Sequence, residues 1–371
     1  MIGRTTSPRV AFVLVSYAPD TPAGMERATG ALAMGLHAMG CRTIIITASA
    51  NLAPSPDTIR LQSLRVEFPM DDAALRKAIV RESHTIRSEL GRILTREAID
   101  IVVYVDALWG LGCIMPDHHA RRVLAVHVLG HREDMDPAIG RADRVIAPSP
   151  ALIGDAAARG YRADSWRVVP NALLHERIPA DVGERERLRR EGPFRTLARP
   201  ALNKGVLDLL KSVPAGLDRP AHMMLAAAPF DTDHETQQSI VDRCVRACVP
   251  PTQLSVRRLS WAQAPAWLAK AAVVLVPSHA ESFGLVALEA MNAGTPVVAY
   301  DVGNLPDLIG TGDDAGGTLV EREAGPRALW RAALALVQDR VTYLHTSRAA
   351  YYRSRDFRPT SIAEHFLKAV W

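Results

Sequence analysis

The sequence predicts two doubly wound α/β domains in tandem, and three observations support this. Short β-branched runs alternate with longer segments of helical periodicity, the signature of parallel sheets covered by helices. The alternation begins afresh after Asn171. The chain has 371 residues, more than one hydrophobic core ordinarily organises.

The first half opens with an apolar strand over residues 10–15. A helix is expected over 27–39, closed by Gly40 at its C-terminal cap. Residues 42–48 form the next strand, where three consecutive isoleucines predict burial on both faces. One long helix is expected over 71–97, capped at Asp71 or Asp72. Further strands are expected at 101–105, 123–128 and 144–147. Residues 181–192 are rich in charge and read as a linker with an early surface element. Beyond it come segments 194–197, 204–213, 222–227, 237–248, 254–259, 264–271, 273–276, 285–293 and 296–299, again strand and helix in turn. In open sheets of this kind, ligands bind outside the carboxyl ends of the strands.

Bulk properties exclude several classes. Apolar residues make up 48% and charged residues 23%, an ordinary globular balance. Lys and Arg total 44 against 40 Asp and Glu, a net charge of +4 that suits a small anionic substrate without demanding nucleic acid. Cys41, Cys113, Cys244 and Cys248 lack the further ligands a zinc site needs and read as reduced thiols. The first apolar run is too short for a signal-peptide core and no stretch approaches a membrane span, so a cytoplasmic protein is expected. The basic residues Arg76, Lys77, Arg81, Arg87, Arg92 and Arg96 read as a solvated helix face with Glu82, Glu89 and Glu97 as partners, in preference to a lipid-binding surface. Asp134-x-Asp136 and Asp231-x-Asp233 both lie in segments read as loops, and no metal site is assigned to either.

Chemistry concentrates in residues 277–298. A buried strand over 273–276 runs into a tight loop, and a helix opens near Phe283 or Gly284. A helix start carries unpaired N–H groups and a positive partial charge, which makes it a phosphate site. Glu281 precedes the helix and Glu289 lies inside it, with backbones about 10 Å apart at 1.5 Å per residue. One carboxylate suits sugar hydroxyls and the other ribose hydroxyls, since a carboxylate accepts two hydrogen bonds from a vicinal diol.

This stretch resembles the retaining GT-B glycosyltransferases of family 4 (group 1), which carry Glu-x-Phe-Gly-(x4)-Glu-Ala-Met-(x2)-Gly-x-Pro-Val-Val. Glu281, Phe283, Gly284, Glu289, Ala290, Met291, Gly294, Pro296, Val297 and Val298 match it. The resemblance implies a GT-B fold, two Rossmann-like domains with parallel sheets facing a deep inter-domain cleft. It implies that Glu281 holds the donor sugar and Glu289 the ribose, with the backbone at Phe283, Gly284 and Leu285 approaching sugar and phosphate. Arg199 with Lys204-Gly205 resembles the family's diphosphate grip. Two fixed cations there would stabilise the charge that develops on the departing nucleotide diphosphate. Gly24 matches the second of two glycines in the first loop, near phosphates and acceptor, while Ala23 replaces the first. His127 matches a histidine facing the cleft. Residues 142–149 resemble the last N-domain strand, and Val168-Val169-Pro170-Asn171 resembles the entry to the second domain, with Ala172 in place of glycine. Gly303-Asn304-Leu305-Pro306-Asp307 resembles Gly-Gly-x-Pro-Glu, with Asn304 and Asp307 as departures.

The implied division is residues 1–171 as acceptor domain, 172–355 as nucleotide-sugar domain, and 356–371 as a helix crossing back. The implied activity is sugar transfer from a UDP-, GDP- or dTDP-sugar to a hydroxyl, with retention, catalysed through Glu281, His127, Lys204 and Arg199 without a required cofactor. The expected acceptor is a small natural product or saccharide in a bacterial cell, ahead of a lipid-linked one at a membrane. An epimerase or phosphorylase of the same fold, or a catalytically degenerate sugar-nucleotide-binding protein, is the alternative.

Overall fold

The computed structural model describes residues 7–17, 24–49, 57–66, 72–105, 107–226, 234–257 and 259–371. The loop at 19–23, Asp71 and the Asp231-x-Asp233 pair fall outside these residues. The chain divides into two compact units. Among the described residues, unit 1 holds those up to Leu174 together with Pro359–Trp371, and unit 2 holds His175–Arg358.

Unit 1 runs β1 (Arg9–Leu14), α1 (Gly24–Ala38), β2 (Arg42–Thr47), β3 (Thr58–Arg60), α2 (Asp72–Arg81), α3 (Ser83–Arg96), β4 (Ile101–Val105), β5 (Arg121–Ala125), α4 (Arg132–Arg141), β6 (Arg144–Ala147), α5 (Pro150–Ala158) and β7 (Arg167–Val168). The sheet order is β3-β2-β1-β4-β5-β6-β7, with every pairing parallel. Ile44, Ile45 and Ile46 are all buried, as helices on both faces of a parallel sheet require.

Unit 2 runs α6 (Val182–Glu191), β8 (Phe194–Ala198), α7 (Val206–Lys211), β9 (Ala221–Leu225), α8 (His234–Ala247), β10 (Thr252–Val256), α9 (Gln263–Leu268), β11 (Val273–Val276), α10 (Leu285–Asn292), β12 (Val297–Tyr300), α11 (Leu305–Ile309), β13 (Gly317–Val320), α12 (Pro326–Gln338) and α13 (Arg340–Ser354). Its parallel sheet is ordered β10-β9-β8-β11-β12-β13. Buried polar groups in its core find backbone partners: Trp330 Nε1 donates to Leu209 O (3.1 Å) and the Tyr343 hydroxyl to Ala272 O (2.8 Å). The last helix, α14 (Pro359–Val370), belongs to unit 1 and packs on α1, burying Ile362, Ala363 and Phe366.

Four expectations need correction. The long helix over 71–97 is two helices that meet at Glu82, whose φ of −91° and ψ of 8° leave helical values. The apolar positions Leu75, Ile79, Ile86, Leu90 and Ile93 keep helical spacing across the break, so periodicity carries no trace of it. Glu89 is no partner for the basic face. It is buried, and its carboxylate accepts from the Gln62 and Ser63 amides at 2.8 Å each. Asp134-x-Asp136 lies on α4, where Asp134 pairs with Arg76 (2.8 Å) and Asp136 lies 3.7 Å from Arg132. The acidic first turn of α4 favours a helix, but Pro137 inside it masks that signal. Finally, α6 is docked rather than free: Arg185 is 2% exposed and donates to Ala271 O at 3.2 Å. The four cysteines are free thiols, and among the described residues no helix is long and apolar enough to cross a membrane.

Gly35 of α1 lies against Pro359 at the start of α14. A Cβ there would lie 2.0 Å from Pro359 O. Gly35→Ala must therefore force backbone apart, and chemical denaturation should show a loss of about 1–3 kcal/mol.

Candidate functional site

The strand order of unit 2 determines where its site can form. The chain winds from β8 outward to β10, then returns to the other side of β8 and continues to β13. β8 and β11 are parallel neighbours, with Val273 opposite Phe194 and Val274 opposite Arg195, so the loops that follow them leave at the same edge. Their diverging paths open a crevice at this switch of winding direction. The loop after β8 carries Arg199 and Lys204, and the loop after β11 carries Glu281 and leads into α10.

The two loops are held together by backbone. The His279 amide donates to Asn203 O at 2.8 Å. Gly205, at φ 66°, lies so close to Pro277 that a Cβ would meet its carbonyl oxygen at 2.0 Å. Across this junction the Lys204 ammonium donates to Glu281 Oε1 at 2.6 Å, with the two side chains only 18% and 16% exposed. A third segment closes on the Glu281 loop from the end of β12. Gly303, at φ 55°, passes near enough that a Cβ would meet Glu281 O. The Asn304 amide then donates to Glu281 O (3.1 Å), and its side-chain Nδ2 donates to Phe283 O (3.1 Å).

By resemblance the sequence marks Asn304 only as a departure from a glycine. At 4% exposure it is a buried clamp on the loop bearing Glu281. Nothing local in the sequence signals this, because its partners lie 21 residues away or more.

The remaining candidates fall as follows. Gly284 caps α10 at φ 101°, and Leu285 begins the helix, so the free amides of its first turn point out of the loop. The Phe283 side chain is 2% exposed and packs edge-on against Phe357 at 5.7 Å, leaving only its backbone toward the loop. Glu289 is 5% exposed, five residues beyond the cap. Arg199 is exposed just past β8. Gly24 is the exposed first residue of α1 in unit 1.

His127 lies two residues beyond β5, not on it, because that strand ends at Ala125. It lines a small cavity of unit 1 with Ala28, Thr29 and Leu32 of α1 and with Asn171. Part of its surface reaches solvent, yet protein packs densely round the ring, and that desolvation pushes the imidazole down to about 4. It is neutral at pH 7, an acceptor or donor of hydrogen bonds and not a cation. Nearby at the switch point of the unit 1 sheet, Ser16 donates to the buried Glu26 carboxylate. Among the described residues no group of three or more His, Cys, Asp or Glu is placed to hold a metal ion.

Comparison with known proteins gives concordant matches. Residues 195–339 match the family described as Glycosyl transferases group 1, and residues 22–177 match Glycosyltransferase Family 4. D-inositol 3-phosphate glycosyltransferase of Corynebacterium glutamicum is 30% identical over 308 residues, 77% of this chain and 61% of that protein. The Segniliparus rotundus protein of the same name is 53% identical over 78 residues, 20% of this chain and 16% of that protein. The matched region thus spans less than two thirds of these relatives' length. Among solved structures, sucrose-phosphate synthase from Thermosynechococcus elongatus superposes with a TM-score of 0.76 at 18% identity, covering 97% of this chain and 98% of that one. Anabaena HepE in complex with UDP-glucose gives a TM-score of 0.69 at 17% identity, with 97% and 98% covered.

Two outcomes follow from this geometry. Asn304→Ala strands the buried Phe283 carbonyl and should cost about 1–3 kcal/mol in chemical denaturation, with faster amide hydrogen exchange at residues 281–284. His127 should make the fold acid-sensitive. Its imidazole lies below the ordinary 6.5, so the unfolded chain binds the proton more readily, and stability falls as pH drops from 6.5 towards about 4. His127→Gln should flatten that limb in a series of melts across the range.

Proposed function

The chain belongs to the group 1 glycosyltransferases of family 4, with the GT-B fold, and on that premise we propose that it moves a sugar from a nucleotide-diphosphate sugar to a hydroxyl of a small acceptor, with retention at the anomeric carbon. The observation that carries the reading is the Lys204–Glu281 pair held at the switch point between β8 and β11.

In the proposed reaction the bond from the anomeric carbon to the β-phosphate oxygen breaks, and a bond to the acceptor oxygen forms on the same face. The acceptor's proton passes to the departing phosphate oxygen, so the products are a glycoside and a nucleoside diphosphate. Negative charge grows on the diphosphate as the bond breaks. Lys204, Arg199 and the amino end of α10 supply fixed positive charge there, worth most in the transition state. Glu281 takes sugar hydroxyls and Glu289 the ribose diol, while the amides of Gly284 and Leu285 face the phosphates. In unit 1, Gly24 and the neutral His127 are assigned to the acceptor side.

A UDP-sugar is the first donor to test, ahead of GDP- and dTDP-sugars, because HepE is seen with UDP-glucose. The relatives' name makes D-inositol 3-phosphate the first acceptor to test, beside saccharides and small natural products. Each donor should be screened by binding, and acceptors then offered with the donor that binds. The anomeric coupling of the product, read by NMR, tests retention. Glu281→Ala and Lys204→Ala should each lower kcat/KM by about 100-fold or more, and near-normal turnover in both would overturn the assignment.

A further inference from the structure

A groove of about 500 Å³ opens in unit 2 between α7 and the start of α12, within the size range of small-ligand sites. None of Arg199, Lys204, Glu281 and Glu289 lines it. Its walls are Asp208 and Lys211 of α7, Ser212, His279 from the β11–α10 loop, Tyr300 at the end of β12, and Arg322, with Gly325 and Pro326 at the entry to α12. The chemistry is mixed in an orderly way. Lys211 and Arg322 are exposed cations, and the amino end of α12 adds partial positive charge. Asp208 supplies a carboxylate 3.7 Å from His279 Nε2. The rings of His279 and Tyr300, 6.2 Å apart and inclined at 45°, form an angled aromatic wall. Burial, and then Asp208, push the Tyr300 phenol up to about 12, so its hydroxyl keeps its proton and remains a donor.

We propose that this groove binds a phosphorylated sugar, at a site separate from donor and acceptor. Lys211 and Arg322 hold the phosphate, Asp208 and Ser212 take sugar hydroxyls, and the His279 and Tyr300 rings carry the less polar face of the sugar. A carboxylate would be wasted in a site for bare phosphate, and two cations would be wasted in a site for a neutral sugar. The groove is also mechanically connected to the Lys204–Glu281 pair. The His279 amide holds Asn203, the residue before Lys204, while its ring faces the groove. A ligand pressing on that ring therefore bears on the loop that presents Lys204. This effector role rests on the donor reading above, whereas the binding itself does not.

Calorimetric titration with glucose 6-phosphate, in the presence of saturating UDP, tests the binding, with glucose and inorganic phosphate as separate arms. The hexose phosphate should bind, and each half of it alone should bind about tenfold more weakly or worse. In the Lys211→Ala/Arg322→Ala double variant, both changes at exposed positions, its affinity should fall by about tenfold or more while UDP affinity stays within about twofold. Absence of binding, displacement by UDP, or unchanged affinity in the double variant, which would locate the ligand elsewhere, each overturns the proposal. Failure of UDP to bind would count against the donor reading alone, since the hexose phosphate titration still reads the groove.

Discussion

The arrangement depends on one ion pair placed where a sheet reverses its winding. β8 and β11 are neighbours, but the chain leaves them in different directions, and the gap this creates is spanned by Lys204 and Glu281 at 2.6 Å. Coulomb attraction at an effective dielectric near 20 is worth about 6 kcal/mol at this separation. Desolvating two largely buried ions consumes much of that. The pair is accordingly a poor source of stability and a good source of position. Each charge offsets the other, and the contact fixes the loop after β8 against the loop after β11.

That positioning is delivered by backbone more than by side chains. The loops around the pair approach to distances no Cβ tolerates, at Gly205 against Pro277 and at Gly303 against Glu281. Asn304 then binds two carbonyls of the Glu281 loop at once. A loop fixed through its own carbonyls cannot swing without breaking buried hydrogen bonds, so the backbone that carries Glu281 is held in place. Unit 1 repeats the winding, with its reversal between β1 and β4, yet fills the equivalent edge differently, with Glu26 held by Ser16 and a neutral, desolvated His127. The same topology thus presents fixed charge in one unit and mostly uncharged surface at His127 in the other.

Much of this could be read from the sequence, for a clear reason. Runs such as Ile44–Ile46, and the alternation that restarts after Asn171, report burial that is local in the chain, so strands and helices emerged close to their observed bounds. The strand at 273–276 matches to the residue, and the helix expected to open near Phe283 or Gly284 begins at Leu285 and ends at Asn292. Errors arose where neighbours far along the chain decide the outcome. Glu82 interrupts a pattern that looks continuous, Pro137 hides a real helix, and Glu89 turns inward to bind amides 26 and 27 residues away.

By itself the sequence determined the fold class, the two α/β units, the presence of Lys204 and Glu281 in segments that follow strands, and that of Gly284 and Glu289 at and within the helix beyond. Those properties depend on periodicity and on residue type, which are written along the chain. Only the tertiary structure decided that Lys204 meets Glu281 directly, that Asn304 is a clamp, that α6 is anchored through Arg185, and that His279 faces a second groove. Each depends on contacts across dozens of residues, and the closeness of two distant segments is a property of packing that no local spacing encodes.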